Sequence, residues 1–452
     1  MEPGAPAIEQ SLGRGPRGIR NRLGASRLGK SRLGRLAATA AENLRDPARG
    51  LALVMLSALI LRGLWLNVPE KGLIFDEAYY VNASRVILGW HATTHYADSP
   101  AGLDPNTEHP PLGKLVIAAS MAVLGDQGLA WRLPSVVAAM VALAVLFQIV
   151  RRLDTSAWFA VTAVALVAFD NLSFVHGRIG TLDMLVLAPM LVGSWLAIER
   201  RWVLAGLVVG IALLVKITAL YAVLAIGLWV LVTDGPAWWR QRRLPVRDLV
   251  GPVAFVGIAG ATFLLGLAVL DARFTTYATP FDHIARILGY GTALRAPATS
   301  VGICPEADSR PWQWLFNECQ IQYLRVDVTT SAGEQVVSRK ATIDFRGAFN
   351  PLLAAAVPLA ALFMVWYAVK TRSTIAMWAV TWAAANYLPY VALALFTNRI
   401  MYLYYALPLV PALAVGVALL LVRAGLPRPV RWGFLLAYAI GFVAYFPFRQ
   451  PP

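Results

Sequence analysis

The sequence predicts an all-α polytopic membrane protein, and three observations carry that prediction. Of its 452 residues 58% are hydrophobic and only 14% charged. Its mean hydropathy is +0.59. The apolar residues gather in runs near the ~20 residues that a helix needs to cross a ~30 Å hydrocarbon core, separated by short polar stretches rich in arginine.

Residues 1–50 carry ten Lys or Arg against four acids and repeat a short pattern in Asn21-Arg22-Leu23-Gly24, Ser26-Arg27-Leu28-Gly29 and Ser31-Arg32-Leu33-Gly34. They read as a basic cytoplasmic tail that anchors topology or meets anionic lipid. Their length and glycine content do not suit a signal-peptide leader. Apolar runs follow at 51–68, 129–150, 157–175, 178–198, 202–216, 218–233, 249–270, 350–369, 375–396, 399–422 and 432–448. These give about eleven transmembrane helices. The run at 112–125 is too short to span and is expected to lie along the interface, within a first outer loop at 69–128.

The net charge of +15 would suggest nucleic acid in a soluble protein. Here it is explained by topology, so no nucleic-acid partner is expected. With the amino terminus inside, the basic loops at Arg151-Arg152, Arg200-Arg201, Arg240 to Arg247, Lys370 to Arg372 and Arg423 to Arg431 all fall inside. Counting 112–125 as a span would put the first three outside, against the positive-inside bias. The domain reading is a tail at 1–50, an amino-terminal membrane module at 51–270, an outer loop at 271–349 and carboxy-terminal helices at 350–452.

This topology collects polar residues on one outer face, as an external active site requires. Asp76-Glu77 places two carboxylates just beyond the first span, and His109-Pro110-Pro111-Leu112-Gly113-Lys114 closes the same loop. Arg178 and Asp183 are five positions apart, hence ~140° apart on a helix, so they do not form an i,i+4 pair; each faces another helix or a ligand. Lys216 ends one span, where snorkelling alone would also account for it. Arg399 precedes an aromatic cluster containing Tyr404, and Trp312 lies in the outer loop; both clusters could equally be interfacial belts. Cys304 and Cys319 are too few for a thiolate metal cluster. Placed outside, they are expected to form a disulfide, two buried free thiols being the competing arrangement.

Phe75-Asp76-Glu77, the His109 to Lys114 string, Arg178 to Asp183 and Leu214-Val215-Lys216 together resemble the protein O-mannosyltransferase family, a group of polyprenyl-phosphate-sugar-dependent transferases of the GT-C fold. Weaker echoes are Ser309 to Trp314, Phe349 to Leu352 and Arg399 to Pro408. Two positions depart from the family pattern. Ala78-Tyr79-Tyr80 follows the acidic pair where a His-Phe pair is common, and Tyr405 stands where many members have His. The 271–349 loop also has no room for a β-trefoil domain.

The resemblance implies an inverting transfer of a sugar, mannose in the family, from a polyprenyl-phosphate donor to Ser or Thr hydroxyls of a protein on the outer face of a plasma membrane. It implies Asp76 as general base and Glu77 beside it, with Arg178, Lys216, Arg399 and Lys114 on the donor phosphate. His109, Asp183, Trp312 and Tyr404 are then supporting or substrate-binding residues. No cofactor is expected, although Asp76, Glu77 and Asp183 leave a divalent metal open. The alternatives are a same-fold transferase acting on a lipid or polysaccharide, and a transporter, against which the one-sided polar cluster counts.

Overall fold

The computed structural model describes residues 46–242, 246–295, 304, 308–332 and 335–450. The basic tail therefore lies outside the described residues up to residue 45. The chain divides at Gly50, and every contact given below lies within Leu51–Pro452.

The element order begins with α1 (Pro47–Gly63), α2 (Glu77–Ile87), α3 (Leu112–Leu124), α4 (Gly128–Leu153), α5 (Ala157–Ala168), α6 (Asn171–His176), α7 (Leu182–Ile198) and α8 (Trp202–Val215). A 3₁₀ turn at Ile217–Ala219 leads into α9 (Leu220–Gln241), α10 (Val246–Phe274), α11 (Pro280–Ala293) and α12 (Pro311–Trp314). Strands β1 (Ile321–Ala332) and β2 (Gln335–Gly347) then precede α13 (Pro351–Thr371), α14 (Thr374–Phe396), α15 (Val410–Arg423) and α16 (Arg428–Ala444).

Each of the eleven apolar runs contains a helix. Among the described residues, however, six helical stretches have both the length and the apolarity to cross a membrane: Gly128–Leu153, Ile217–Arg240, Val246–Phe274, Pro351–Thr371, Thr374–Phe396 and Leu403–Arg423. In two of the other runs a polar residue breaks the helix. Asp170 caps α6 by accepting from the Ser173 amide at 2.9 Å, and Lys216 is extended where α8 stops. The interfacial run is α3, which ends at Gly125 with φ +85°.

Packing is close where side chains are small. In α8, Gly206 and Gly210 face α10, and a Cβ on Gly210 would stand 2.5 Å from the Cβ of Thr262. This is the small-xxx-small contact that lets membrane helices approach. The Leu403–Arg423 span lies at the centre, with 78% of its apolar window buried, whereas 22% of Val246–Phe274 is.

The 271–349 segment contains what the all-α expectation did not, an antiparallel hairpin pairing Ile321 with Gly347 and Arg325 with Asp344. Its base is fastened to the carboxy terminus, where the Asp344 amide donates to the Pro447 carbonyl at 2.8 Å. A disulfide joins Cys304 to Cys319, Cα atoms 5.5 Å apart.

Candidate active site

The turn after α1 decides where the two neighbouring carboxylates go. Phe75 sits at φ +55°, a conformation that non-glycine residues seldom adopt. Asp76 follows as the N-cap of α2, yet its carboxylate makes no capping bond. One step on, and so ~100° around the helix, Glu77 points into the protein. Its carboxylate accepts from Arg132 Nε at 2.9 Å and Nη2 at 3.0 Å, and from the amides of Gly180 at 2.7 Å and Ile74 at 2.8 Å. Gly180 can come this close because a Cβ there would meet the Trp131 carbonyl at 2.8 Å.

Asp76 instead lines a cavity of about 1170 Å³, together with His109, Lys216, Arg399 and Tyr404. Enclosure by the protein raises the Asp76 carboxyl to about 7, Asp183 pushing the same way and Lys216 against it. Burial, and then the nearby Lys216 and Lys114, hold the His109 imidazole well below its ordinary range, so it is neutral at pH 7. Its Nδ1 is buried without a hydrogen-bond partner.

Lys216 extends from the break between α8 and α9. Its Nζ is 2.7 Å from Asp183 Oδ1 and 5.7 Å from the centre of the Tyr404 ring. Asp183 is thus a partner of the cation rather than a lining residue. Its second oxygen is 3.4 Å from His176 Nδ1. Arg399 stands 5.9 Å from the Tyr405 ring with its Nε buried and unbonded, and its backbone is bridged to Arg295, which also lines the cavity.

Arg178, Lys114, Glu77 and Trp312, all singled out in the sequence, do not line the cavity. The Arg178 guanidinium donates to the Leu61 carbonyl at 3.2 Å and the Leu64 carbonyl at 2.8 Å and lies 4.9 Å from the Phe448 ring. Lys114 pairs with buried Asp104 at 2.6 Å and donates to the carbonyls of Asn106 and His109. Neither lines the cavity, whereas the resemblance implies both on the donor phosphate. Their reach is used up closing the ends of α1 and the first loop. Glu77 is held by Arg132, and Trp312 is 45% exposed and away from the lining. Asp76, Glu77 and Asp183 accordingly do not converge, and among the described residues no group of three or more His, Cys, Asp or Glu side chains is placed to hold a metal.

Arg132, His176, Arg295 and Tyr323 were not singled out. His176 closes α6 seven positions before Asp183 and could have been found as a histidine set in an apolar run. Tyr323 carries no local signal, since it reaches the site only through the hairpin.

The cavity wall also includes the apolar residues Leu220, Leu288, Leu393 and Phe396. An acid of raised basicity, cations and apolar side chains lining one cavity can together bind an anionic lipid headgroup and take a proton beside it.

Residues 108–261 match the family model described as dolichyl-phosphate-mannose-protein mannosyltransferase. A polyprenol-phosphate-mannose–protein mannosyltransferase of Mycobacterium tuberculosis is 27% identical over 314 residues, 62% of this chain and 58% of that protein. The chain thus spans 58% of the length of that relative. The S. cerevisiae protein O-mannosyltransferase complex bound to its sugar donor matches with a TM-score of 0.63 at 11% identity, over 89% of this chain and 90% of that one. ArnT from Cupriavidus metallidurans bound to undecaprenyl phosphate gives a TM-score of 0.51 at 18% identity, over 91% and 64%. This chain is an integral multi-pass membrane protein of the GT-C fold, and its sequence resembles the dolichyl-phosphate-mannose-protein mannosyltransferase family.

Proposed function

We propose that the protein transfers mannose from a polyprenyl-phosphate donor to Ser or Thr hydroxyls of a protein acceptor at the outer face of the plasma membrane, with inversion at the anomeric carbon. The observation that carries this reading is that Asp76, Lys216 and Arg399 share the wall of one cavity with apolar residues such as Leu220, Leu393 and Phe396. The lipid chain lies along Leu220, Leu393 and Phe396, and the phosphodiester meets Arg399 and Lys216. The acceptor oxygen bonds to the anomeric carbon as the bond from that carbon to the phosphate oxygen breaks, and the hydroxyl proton passes to Asp76. Charge grows on the departing phosphate, so cations fixed there favour the transition state over the ground state. In this reading the loop 69–128 and the segment 271–349 face outward, and the tail 1–50 faces the cytoplasm.

The test is to incubate the purified full chain in lipid nanodiscs with radiolabelled polyprenyl-phosphate mannose and, in separate arms, a Ser/Thr peptide, a lipid and a glycan acceptor. Label in peptide is the expected result. Label only in lipid or glycan would assign a same-fold transferase of another acceptor class. No donor consumption at all would overturn the reading.

A further inference from the structure

Strand β1 carries Tyr323 into the protein until it is only 7% exposed, and both parts of its side chain are used. Its ring lies on the Phe75 ring with centroids 4.1 Å apart and planes at 18°. Its hydroxyl is 2.8 Å from His176 Nε2. Nδ1 of the same imidazole lies 3.4 Å from the Asp183 carboxylate and 3.4 Å from Thr181 Oγ1; a proton on Nδ1 would face that anion and leave Nε2 to accept from the Tyr323 hydroxyl. Asp183 in turn holds Lys216. At the other end, Phe75 is the left-handed residue that sets the direction of Asp76, a backbone state that persists only where its surroundings hold it. Room for the tyrosine is made across the hairpin, since a Cβ on Gly347 would collide with the Tyr323 hydroxyl.

We propose that Tyr323 and His176 are positioning residues, through which the β hairpin holds Asp76 and Lys216 in one fixed geometry. The proposal rests on the roles given above to Asp76 and Lys216. Tyr323 serves Asp76 through the face of its ring and Lys216 through its hydroxyl, so one side chain sets both the base and the cation. Ordinary core packing would need the ring alone; the hydroxyl on a buried imidazole would then be dispensable.

Two measurements on the full chain in nanodiscs test it. In the first, Tyr323→Phe keeps the ring and removes the hydroxyl. Mannosyl transfer to peptide should show kcat lowered by on the order of 10- to 100-fold, as small misplacements of reacting groups do, with donor KM little changed. The double variant with His176→Asn should lose no more than the worse single variant, because both cut one path. Wild-type kcat in Tyr323→Phe, or losses that multiply, would overturn the relay. The second needs no substrate: amide exchange over 74–80 and 214–219 should rise together in Tyr323→Leu, with Gly347→Ala as the substitute if that variant does not fold. Unchanged exchange in either segment overturns the relay. If the wild type transfers no mannose while both segments respond, the relay stands and the functional reading falls.

Discussion

Glu77 and Arg132 meet at two points, Nε to Oε1 at 2.9 Å and Nη2 to Oε2 at 3.0 Å, in a pair that is almost wholly buried. The geometry separates two carboxylates that adjoin in sequence. Glu77 has four donors and no free lone pair aimed at the cavity, so it serves as a structural anion that fixes α2 on α4. Asp76 retains an uncommitted carboxylate.

Arg132→Met should therefore act on stability. Removing one member of a buried pair leaves the other charge uncompensated, which costs about 3–5 kcal/mol, and thermal unfolding of the purified protein reads that loss. Glu77→Gln should unfold earlier than wild type while its surviving folded fraction transfers with an unaltered pH dependence. A Glu77→Gln protein of wild-type stability but without transfer would place Glu77 in the chemistry.

Arg178 and Arg399 should separate in the same way. Arg178 caps the carbonyls of Leu61 and Leu64, whereas Arg399 lines the cavity with an unbonded Nε. Lysine lacks the planar fork. Arg399→Lys should weaken donor binding about 10-fold or more, in line with the ~1.5–3 kcal/mol of a hydrogen bond to a charged group, and leave stability nearly unchanged. Arg178→Lys should lower stability and leave donor affinity within about twofold, an affinity change smaller than one such bond supplies. Titrating each variant with polyprenyl phosphate distinguishes them, and the reverse pattern would return Arg178 to the phosphate.

The spans were legible because apolar runs of about 20 residues have few alternatives to membrane helices. Asp76, Lys216 and Arg399, which line the cavity, stand out in sequence because charges at the ends of such runs need a reason and because the family motifs fall on or beside them. What sequence could not resolve was direction. Arg178 and Lys216 look alike as cations bounding spans, yet one turns into backbone carbonyls and the other toward the cavity, a choice made by Leu61 and Leu64 on α1 and its exit. The hairpin was hidden for a different reason. Its register is fixed by tertiary contacts such as Ile343 with Phe448, over 100 residues away in sequence, and no local pattern reports them.

The Cys304–Cys319 bridge joins residues on either side of α12, whose Trp314 is buried and donates to Ser309 Oγ at 2.8 Å. Closing a loop with a sequence separation of 15 is worth ~3 kcal/mol in the chain-entropy account. Cys304→Ser/Cys319→Ser should unfold at lower temperature than wild type, and thiol titration of unreduced wild-type protein in denaturant should find no free thiol. Two free thiols would refute the bridge.

The pH dependence of transfer follows from Asp76. Enclosure raises its carboxyl to about 7, with Asp183 adding and Lys216 subtracting. Only the ionised form can accept the hydroxyl proton, so kcat should climb tenfold per pH unit below about 7 and level off above it, and the raised value makes Asp76 a stronger base than an ordinary carboxylate. Asp76→Asn keeps the shape and removes the base; it should bind donor but lose on the order of 10²- to 10⁴-fold in kcat, the usual worth of general-base catalysis, and its residual rate should not show the acid limb. Removing the neighbouring anion works in the opposite sense on the same group. Asp183→Asn relieves a repulsion and frees Lys216 to act on Asp76, so the acid limb should move to lower pH while the rate on the plateau falls with the displaced cation. A limb that stays in place in Asp76→Asn, or that moves upward in Asp183→Asn, would show that another group carries the proton.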